Sequence, residues 1–477
     1  MKTLRCPINR IASGARRNTS AVQYGDRQLT YLQLEQNITS YVGQLLEGGA
    51  RKGRRVALVA EPSAGFIIAY FALIRIGCTA CLISTRKPAR AAMEEYARLK
   101  CSHILVPSDN RSRFQGVEAI QWPDEDSDGP MPLGQVEYAT DAPANVMFTS
   151  GTAGEPKAVI HSVGNHHYSA KGSNLNIRLA PGDGWLLSLP VYHVAGLSIP
   201  WRCFEAGATI VIPAAGVRLP QAILTTGVSH ISCVPSQLSE LMEDATARRK
   251  LRKFKAILLG GSPMPADLMR RICRAGLPVY ASYGLTEMSS QVATTRCLRS
   301  AEDVGRARVL AYRQVRIGPD EEIQVKGPML CLGIWKAGRL KPVGGKDGWY
   351  RTRDRGRLSR KNELQVLGRM DNMFISGGEN IFPEEIERIL MGFEEIGAAA
   401  VLPVPSVRYG QRPVGVVQFR EGRNLTAEEL RGRLQGRLEK FKVPDAFYRW
   451  PPKLSNEGLK VDRKRLTAQI KPRHLIR

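Results

Sequence analysis

The chain has 477 residues and a formal net charge of +25, with 43% hydrophobic and 24% charged residues. That length exceeds what one core usually serves, so two or more domains are expected in an otherwise ordinary globular composition. The charge points to an anionic partner. However, the short basic clusters at 51–55 and 248–250 lack the interleaved aromatics that would stack on bases, which argues against nucleic acid.

The longest apolar run, 64–74, is too short to span a bilayer, and the first residues lack the apolar core of a signal peptide. Nine cysteines are scattered without disulfide-like spacing. Cys78 and Cys81 form a lone C-x-x-C with no second pair, so buried free thiols and a reducing cytoplasm are expected.

In chain order, Thr30 followed by an apolar-periodic run to Leu46 predicts a capped helix. Residues 55–60 read as a buried strand and 63–76 as a buried helix. Strands follow at 81–83 and 104–106, with a helix around 88–99 between them. This alternation predicts parallel sheet in an α/β domain. Residues 107–143 are polar and acidic and read as a loop. Next come a helix at 164–175, a strand at 185–190, a helix at 197–205 and a strand at 209–212. Alternation continues with strand 230–235, helix 236–243, strand 256–259, helix 265–275 and strands at 279–281 and 283–287. His166 and His167 are expected on a helix surface, with no third ligand to make a metal site. Between 304 and 368, short segments broken by Gly, Pro and Asp read as antiparallel or barrel-like sheet. Residues after 372 return to α+β, with helices near 383–392, 426–438 and 463–470. The expected class is α/β, with a large N-terminal domain over 1–370 and a small α+β C-terminal domain over 371–477.

The stretch Phe148-Thr149-Ser150-Gly151-Thr152-Ala153-Gly154-Glu155-Pro156-Lys157 carries the clearest chemistry. Glycines let backbone N–H groups turn toward an anion, hydroxyls add donors, and lysine supplies a point charge. That suits a triphosphate. It is not the common P-loop, because Pro156 sits where the lysine-bearing helix would begin. From these residues alone, the alternative is a flexible surface turn.

Three further signatures follow in order: Tyr283-Gly284-Leu285-Thr286-Glu287, then Tyr350-Arg351-Thr352-Arg353-Asp354, then Gly368-Arg369-Met370-Asp371-Asn372 running to Asn380. Together with the cradle they resemble the acyl-adenylate-forming superfamily of acyl-CoA synthetases, luciferases and adenylation domains. Within it, Trp185 to Gly196, Trp201-Arg202, Val234 to Leu238 and Thr352 to Gly356 are most similar to the o-succinylbenzoate–CoA ligases of menaquinone biosynthesis.

The resemblance implies an ATP- and Mg2+-dependent ligase that adenylates a carboxylic acid, 2-succinylbenzoate first among candidates, and then forms its CoA thioester. Thr149, Ser150, Gly151, Thr152, Gly154 and Lys157 would cradle the phosphates. Glu287 would hold Mg2+ while Thr286 contacts phosphate. Tyr283 would face adenine, with Gly260, Gly261 and Ser262 on the opposite edge. Asp354 would take the ribose hydroxyls, and Arg369 ribose or phosphate oxygens. Lys460 is similar to the family's catalytic lysine, although Leu459 separates it from Gly458. Ala153 stands where the cradle usually has Ser or Thr, which removes about one hydrogen bond of ~1 kcal/mol.

Arg202 is the candidate for the acid's second carboxylate, with Ser236 nearby and His193 at the pocket entrance. Asp371 matches the family's hinge, about which a mobile C-terminal domain would rotate. Gly377 and Gly378 would let the backbone approach the CoA arm. The basic C-terminal end, with 14 Lys and Arg against 4 Asp and Glu over 431–477, would suit the phosphate of CoA. The rivals are another aryl- or acyl-CoA ligase, a stand-alone adenylation enzyme, and a nucleotide-binding protein without catalysis. Homo-oligomerisation is left open.

Overall fold

The computed structural model describes residues 2–107, 110–111, 114, 119–125, 129–131, 134–149, 157–261, 264, 266–377, 379–435, 437–452 and 463–476. Ser150, Gly151, Thr152, Gly154, Ser262, Gly378 and Lys460 lie outside the described residues.

Local signals set the first elements. Helix Tyr31–Glu47 begins with a reciprocal cap: the Gln33 N–H donates to Thr30 Oγ1 at 3.2 Å, and the Thr30 N–H donates to Gln33 Oε1 at 2.9 Å. Helix Ala64–Ile76 is capped by Ser63 and ends on Gly77, whose φ of 84° suits a residue without Cβ. Its residues are apolar all round and buried from Ala64 through Ile74, so it is an interior helix.

Strand Pro143–Thr149 pairs in antiparallel fashion with Lys157–Ser162, placing Thr149 opposite Lys157. The lysine therefore opens a strand and not a helix, as its distance from the P-loop pattern requires. These two strands lie in an eight-stranded sheet whose parallel part is Pro143–Thr149, Thr79–Ile83, Arg55–Val59, His103–Leu105 and Ala119–Ile120. A thirteen-stranded sheet has a parallel half running from Val279–Leu285 through Ala256–Leu259, His230–Cys233, Gly184–Leu186 and Thr209–Ile212 to Ser20–Tyr24. From Val279–Leu285 outward the same sheet turns antiparallel through Ser290–Thr294, Ala307–Val309, Glu363–Arg369, Tyr350–Leu358, Glu322–Lys326 and Gln314–Ile317. The antiparallel segment read from the sequence thus continues the parallel sheet.

One core cluster joins both sheets. It includes Val56, Leu58 and Ala80 from the first, Val22, Trp185 and Ile210 from the second, and the interior helices between them. Phe71 sits at its centre, with ring centroids 5.3 Å from Trp201 and 5.2 Å from Phe204. Each such ring withdrawn from water stabilises the fold by about 1.5–3 kcal/mol.

Strands of the large sheet end at Arg369, and from Phe374 the chain builds a separate five-stranded sheet. That sheet packs helices Pro383–Leu390 and Ala427–Gln435 around Phe374, Ile386, Val417, Leu430 and Phe447.

Several expectations need correction. The 107–143 stretch is not wholly loop, because it contributes strands Ala119–Ile120 and Glu137–Ala139. Strand 185–190 is shorter than expected, covering Gly184–Leu186, and the next helix starts earlier, at Val194. His166 is not a surface residue. It is buried, stacked on Trp201 at 5.4 Å, and His167 pairs with Glu205 at 2.5 Å, because their helix lies against the interior helix Val194–Ala206.

Candidate active site

The antiparallel half of the large sheet brings three signatures to one place. Asp354 on Tyr350–Leu358 and Arg369 at the end of Glu363–Arg369 are register partners. Arg369 Nη1 donates to Asp354 Oδ1 at 2.9 Å, and the Tyr283 hydroxyl donates to Asp354 Oδ2 at 2.6 Å. Asp354 is buried, and these two donors help to hold its charge. Burial, together with the Asp354 charge, pushes the Tyr283 phenol well above its ordinary range. Burial works against the Arg369 charge, but Asp354 and Asp371 outweigh it and hold that guanidinium above its usual value.

Asp371 accepts from Arg369 Nη2 at 2.8 Å and from Arg353 Nη1 at 2.9 Å. It lies in the 3-10 turn Met370–Asn372, between the last strand of the large sheet and the first of the small one. Arg353 adopts φ 61°, a left-handed conformation disfavoured for a side chain with Cβ, immediately before Asp354.

The Thr286–Glu287 turn follows strand Val279–Leu285. Gly284 is required there, since a Cβ would fall 2.2 Å from the Ser290 carbonyl oxygen. Glu287 is half-buried. Its Oε1 accepts the Tyr350 hydroxyl at 2.9 Å, and it forms no ion pair among the described residues. Gly260 ends the neighbouring strand, where a Cβ would meet Ser282 Oγ at 2.7 Å; Gly261 is exposed. Thr149 and Lys157 face each other at the root of the cradle, with Lys157 exposed.

Arg202 is deeply buried on helix Val194–Ala206. Its Nη2 donates to Ser290 Oγ at 3.1 Å and its guanidinium lies 5.2 Å from the Trp185 ring centre. Among the described residues, Nε and Nη1 have no hydrogen-bond partner and no carboxylate pairs with the guanidinium. Burial lowers its pKa to about 10, so it remains charged at neutral pH. Ser289 and Ser290 sit at φ 53° and 117°, strained conformations that aim the Ser290 hydroxyl at Arg202. His193 precedes the same helix, half-buried, its ring against Tyr192 at 4.7 Å. Ser236 is exposed on the first turn of helix Pro235–Glu243, so the structure does not bring it to the buried guanidinium. Gly377 is exposed at φ 60°, its N–H donating to the Tyr409 carbonyl.

Sequence reasoning missed Ser290, Arg353 and the role of Tyr350 as a partner of Glu287. Tyr350 and Arg353 stand inside the third signature and Ser290 just after the second, but their parts depend on backbone conformation and on strands distant in sequence.

A family model for AMP-binding enzymes matches residues 10–335, and one for the AMP-binding enzyme C-terminal domain matches 385–457. The chain is 33% identical to the 2-succinylbenzoate–CoA ligase of Haemophilus influenzae over 455 residues, 94% of each chain. It is 30% identical to that of Escherichia coli, over 95% of this chain and 96% of the relative. Among solved structures, o-succinylbenzoate CoA synthetase from Bacillus subtilis in complex with its acyl-adenylate intermediate superposes with TM-score 0.85, at 27% identity and 98% coverage of both chains. The same enzyme with ATP and magnesium ion also gives 0.85, at 28% identity, covering 98% of this chain and 100% of that one.

Proposed function

The chain belongs to the AMP-binding enzyme family, and from that premise we propose that it is an ATP-dependent acid–CoA ligase acting on 2-succinylbenzoate in menaquinone biosynthesis. The carrying observation is Arg202, a charged, buried guanidinium beside Trp185, with two nitrogens unpartnered among the described residues. Such a group suits an aryl acid with a second carboxylate, which would accept from those nitrogens.

In the first half-reaction the other carboxylate attacks the α-phosphorus of ATP and pyrophosphate leaves. In the second, the CoA thiol attacks the acyl carbonyl, loses its proton, and expels AMP. Thr149, Ser150, Gly151, Thr152, Gly154 and Lys157 would hold the phosphates, and Lys460 would meet the charge at the α-phosphate. Adenine would lie between Tyr283 and Gly260-Gly261-Ser262, and the ribose hydroxyls would bond Asp354 beside Arg369. Glu287 fits a hard cation, being a carboxylate without an ion pair among the described residues. Bound there, Mg2+ would neutralise developing phosphate charge.

We place the domain boundary at 370/371 and the hinge at Asp371, supported by the change of sheet between Arg369 and Phe374. Rotation there would exchange Lys460 for the face bearing Gly377 and Gly378, opening a path for CoA. Free cysteines throughout support a cytoplasmic location, and no helix among the described residues is long and apolar enough to cross a membrane.

The test is pyrophosphate release with ATP-Mg2+ and 2-succinylbenzoate, benzoate or hexanoate, with and without CoA, in wild type and Lys460→Ala. We expect release with 2-succinylbenzoate, loss in the variant, and thioester only with CoA. Turnover of another acid instead would discard the substrate, and no release with any acid would discard the ligase.

A further inference from the structure

Behind the Thr286–Glu287 turn lies a buried chain of polar side chains that the catalytic scheme above does not use. His161, on strand Lys157–Ser162, places Nε2 2.7 Å from the Thr286 carbonyl oxygen. Its Nδ1 lies 3.2 Å from Asn145 Nδ2, on the adjacent strand. Asn145 Oδ1 meets His166 Nε2 at 2.6 Å and the Tyr70 hydroxyl at 3.0 Å, and Tyr70 meets Trp201 Nε1 at 3.4 Å.

The ends fix every direction in this chain. A carbonyl oxygen only accepts and an indole N–H only donates. Trp201 therefore donates to Tyr70, Tyr70 and His166 donate to Asn145 Oδ1, Asn145 donates to His161 Nδ1, and the proton on His161 Nε2 goes to Thr286. One arrangement satisfies all five contacts, with the Thr286 bond as its terminus. His161 and Asn145 are fully buried, so water cannot replace a lost member.

We propose that His161 is a positioning residue for the nucleotide half of the site, holding the Thr286 carbonyl so that the Glu287 carboxylate is presented for Mg2+-ATP. It touches neither nucleotide nor acid. The inference rests on the reading of Glu287 as the Mg2+ ligand. The guanidinium read as acid-binding donates to Ser290 Oγ, a bond outside these five contacts, so acid binding serves as the comparison.

The experiment measures ATP binding by calorimetry, with and without Mg2+, in wild type, His161→Leu, His161→Gln and Glu287→Gln. The Michaelis constant for 2-succinylbenzoate is measured alongside. His161→Leu removes both ring contacts, whereas Gln offers one donor and one acceptor at similar reach. We expect His161→Leu to bind Mg2+-ATP about fivefold to tenfold more weakly, the scale of one buried hydrogen bond. Metal-free ATP binding and the acid's Michaelis constant should stay within about twofold, and His161→Gln should restore Mg2+-ATP affinity to within about twofold. Glu287→Gln should abolish the gain from Mg2+.

If Glu287→Gln keeps that gain, the metal reading fails and the inference with it. If Glu287→Gln loses the gain while folded His161→Leu binds Mg2+-ATP normally, the inference alone fails. It also fails if Gln does not restore affinity, or if both substrates weaken equally. Should His161→Leu not fold, His161→Asn is read in its place, being polar yet too short to span from Asn145 to Thr286.

Discussion

Arg202 is a charge withdrawn from water without a carboxylate partner among the described residues. Removing a guanidinium from solvent costs several kcal/mol unless an anion answers it. Here the answer within the described residues is one serine hydroxyl and an aromatic face. A second cation, Arg313, is also buried; burial first, then Arg202, lowers its pKa to about 9, and backbone carbonyls take its donors. The site is thus preorganised for an anion at some expense to the unliganded fold. Arg202→Met is expected to lower kcat/KM for 2-succinylbenzoate by about 100-fold, the scale of charged hydrogen bonds. It should leave any benzoate reaction unchanged and raise the unfolding temperature, since the desolvated charge is gone. Pyrophosphate kinetics with both acids and thermal unfolding check this, and equal losses for the two acids would sink it. Asp354, Arg369 and Glu287 were open to nomination as candidates because they stand in motifs that run in order, and Arg202 was through the likeness of its Trp201-Arg202 pair. Ser290 was not, because its part arises from φ 117°, which no residue type announces.

At the scale of elements, capping and periodicity carried most of the reading. Thr30 and the apolar run marked helix Tyr31–Glu47, and the structure adds Gln33 as the partner in both reciprocal bonds. Thr30→Ala is expected to destabilise the protein by about 1 kcal/mol, with Thr30→Ser close to wild type. Urea unfolding of the three proteins measures it, and an Ala midpoint equal to wild type would show that the cap contributes nothing. Just before this helix, the hairpin of Ser20–Tyr24 and Arg27–Thr30 was overlooked. Its signal was present in the two-residue turn Gly25-Asp26, where Gly25 takes φ 55°. Helix Val163–Asn176 shows the opposite limit. Asn165, His166, Ser169 and Ser173 look like a solvent face, yet all are buried. Hydrogen bonds from Asn165 to Pro328 and Leu330, and from Ser169 to Ser289, satisfy part of that face within the fold.

Across the whole molecule, strand–helix alternation made the α/β class readable, whereas the joining of parallel and antiparallel halves into one thirteen-stranded sheet depends on contacts distant in sequence. The two large sheets meet at a shared core and at the His161–Thr286 bond, and that junction carries a pH dependence. Burial lowers the His161 pKa to about 4, outweighing the opposing pull of the Thr286 carbonyl and the Glu287 charge. Burial, with His161 as neighbour, holds His166 well below the ordinary range as well. In the unfolded chain each titrates near ~6.5. Between these values the unfolded state binds protons that the folded state refuses, so stability is fully present above about 6.5 and is lost as pH falls toward 4. For His161 alone that loss reaches about 2 kcal/mol by pH 5, since each unit is worth ~1.4 kcal/mol. His161→Gln keeps both contacts but cannot titrate. Its urea midpoint should therefore fall less between pH 7.5 and pH 5 than that of wild type, by the equivalent of about 2 kcal/mol. Parallel declines would mean that His161 already accepts a proton in the folded protein, and that the neutral ring is not what joins the sheets.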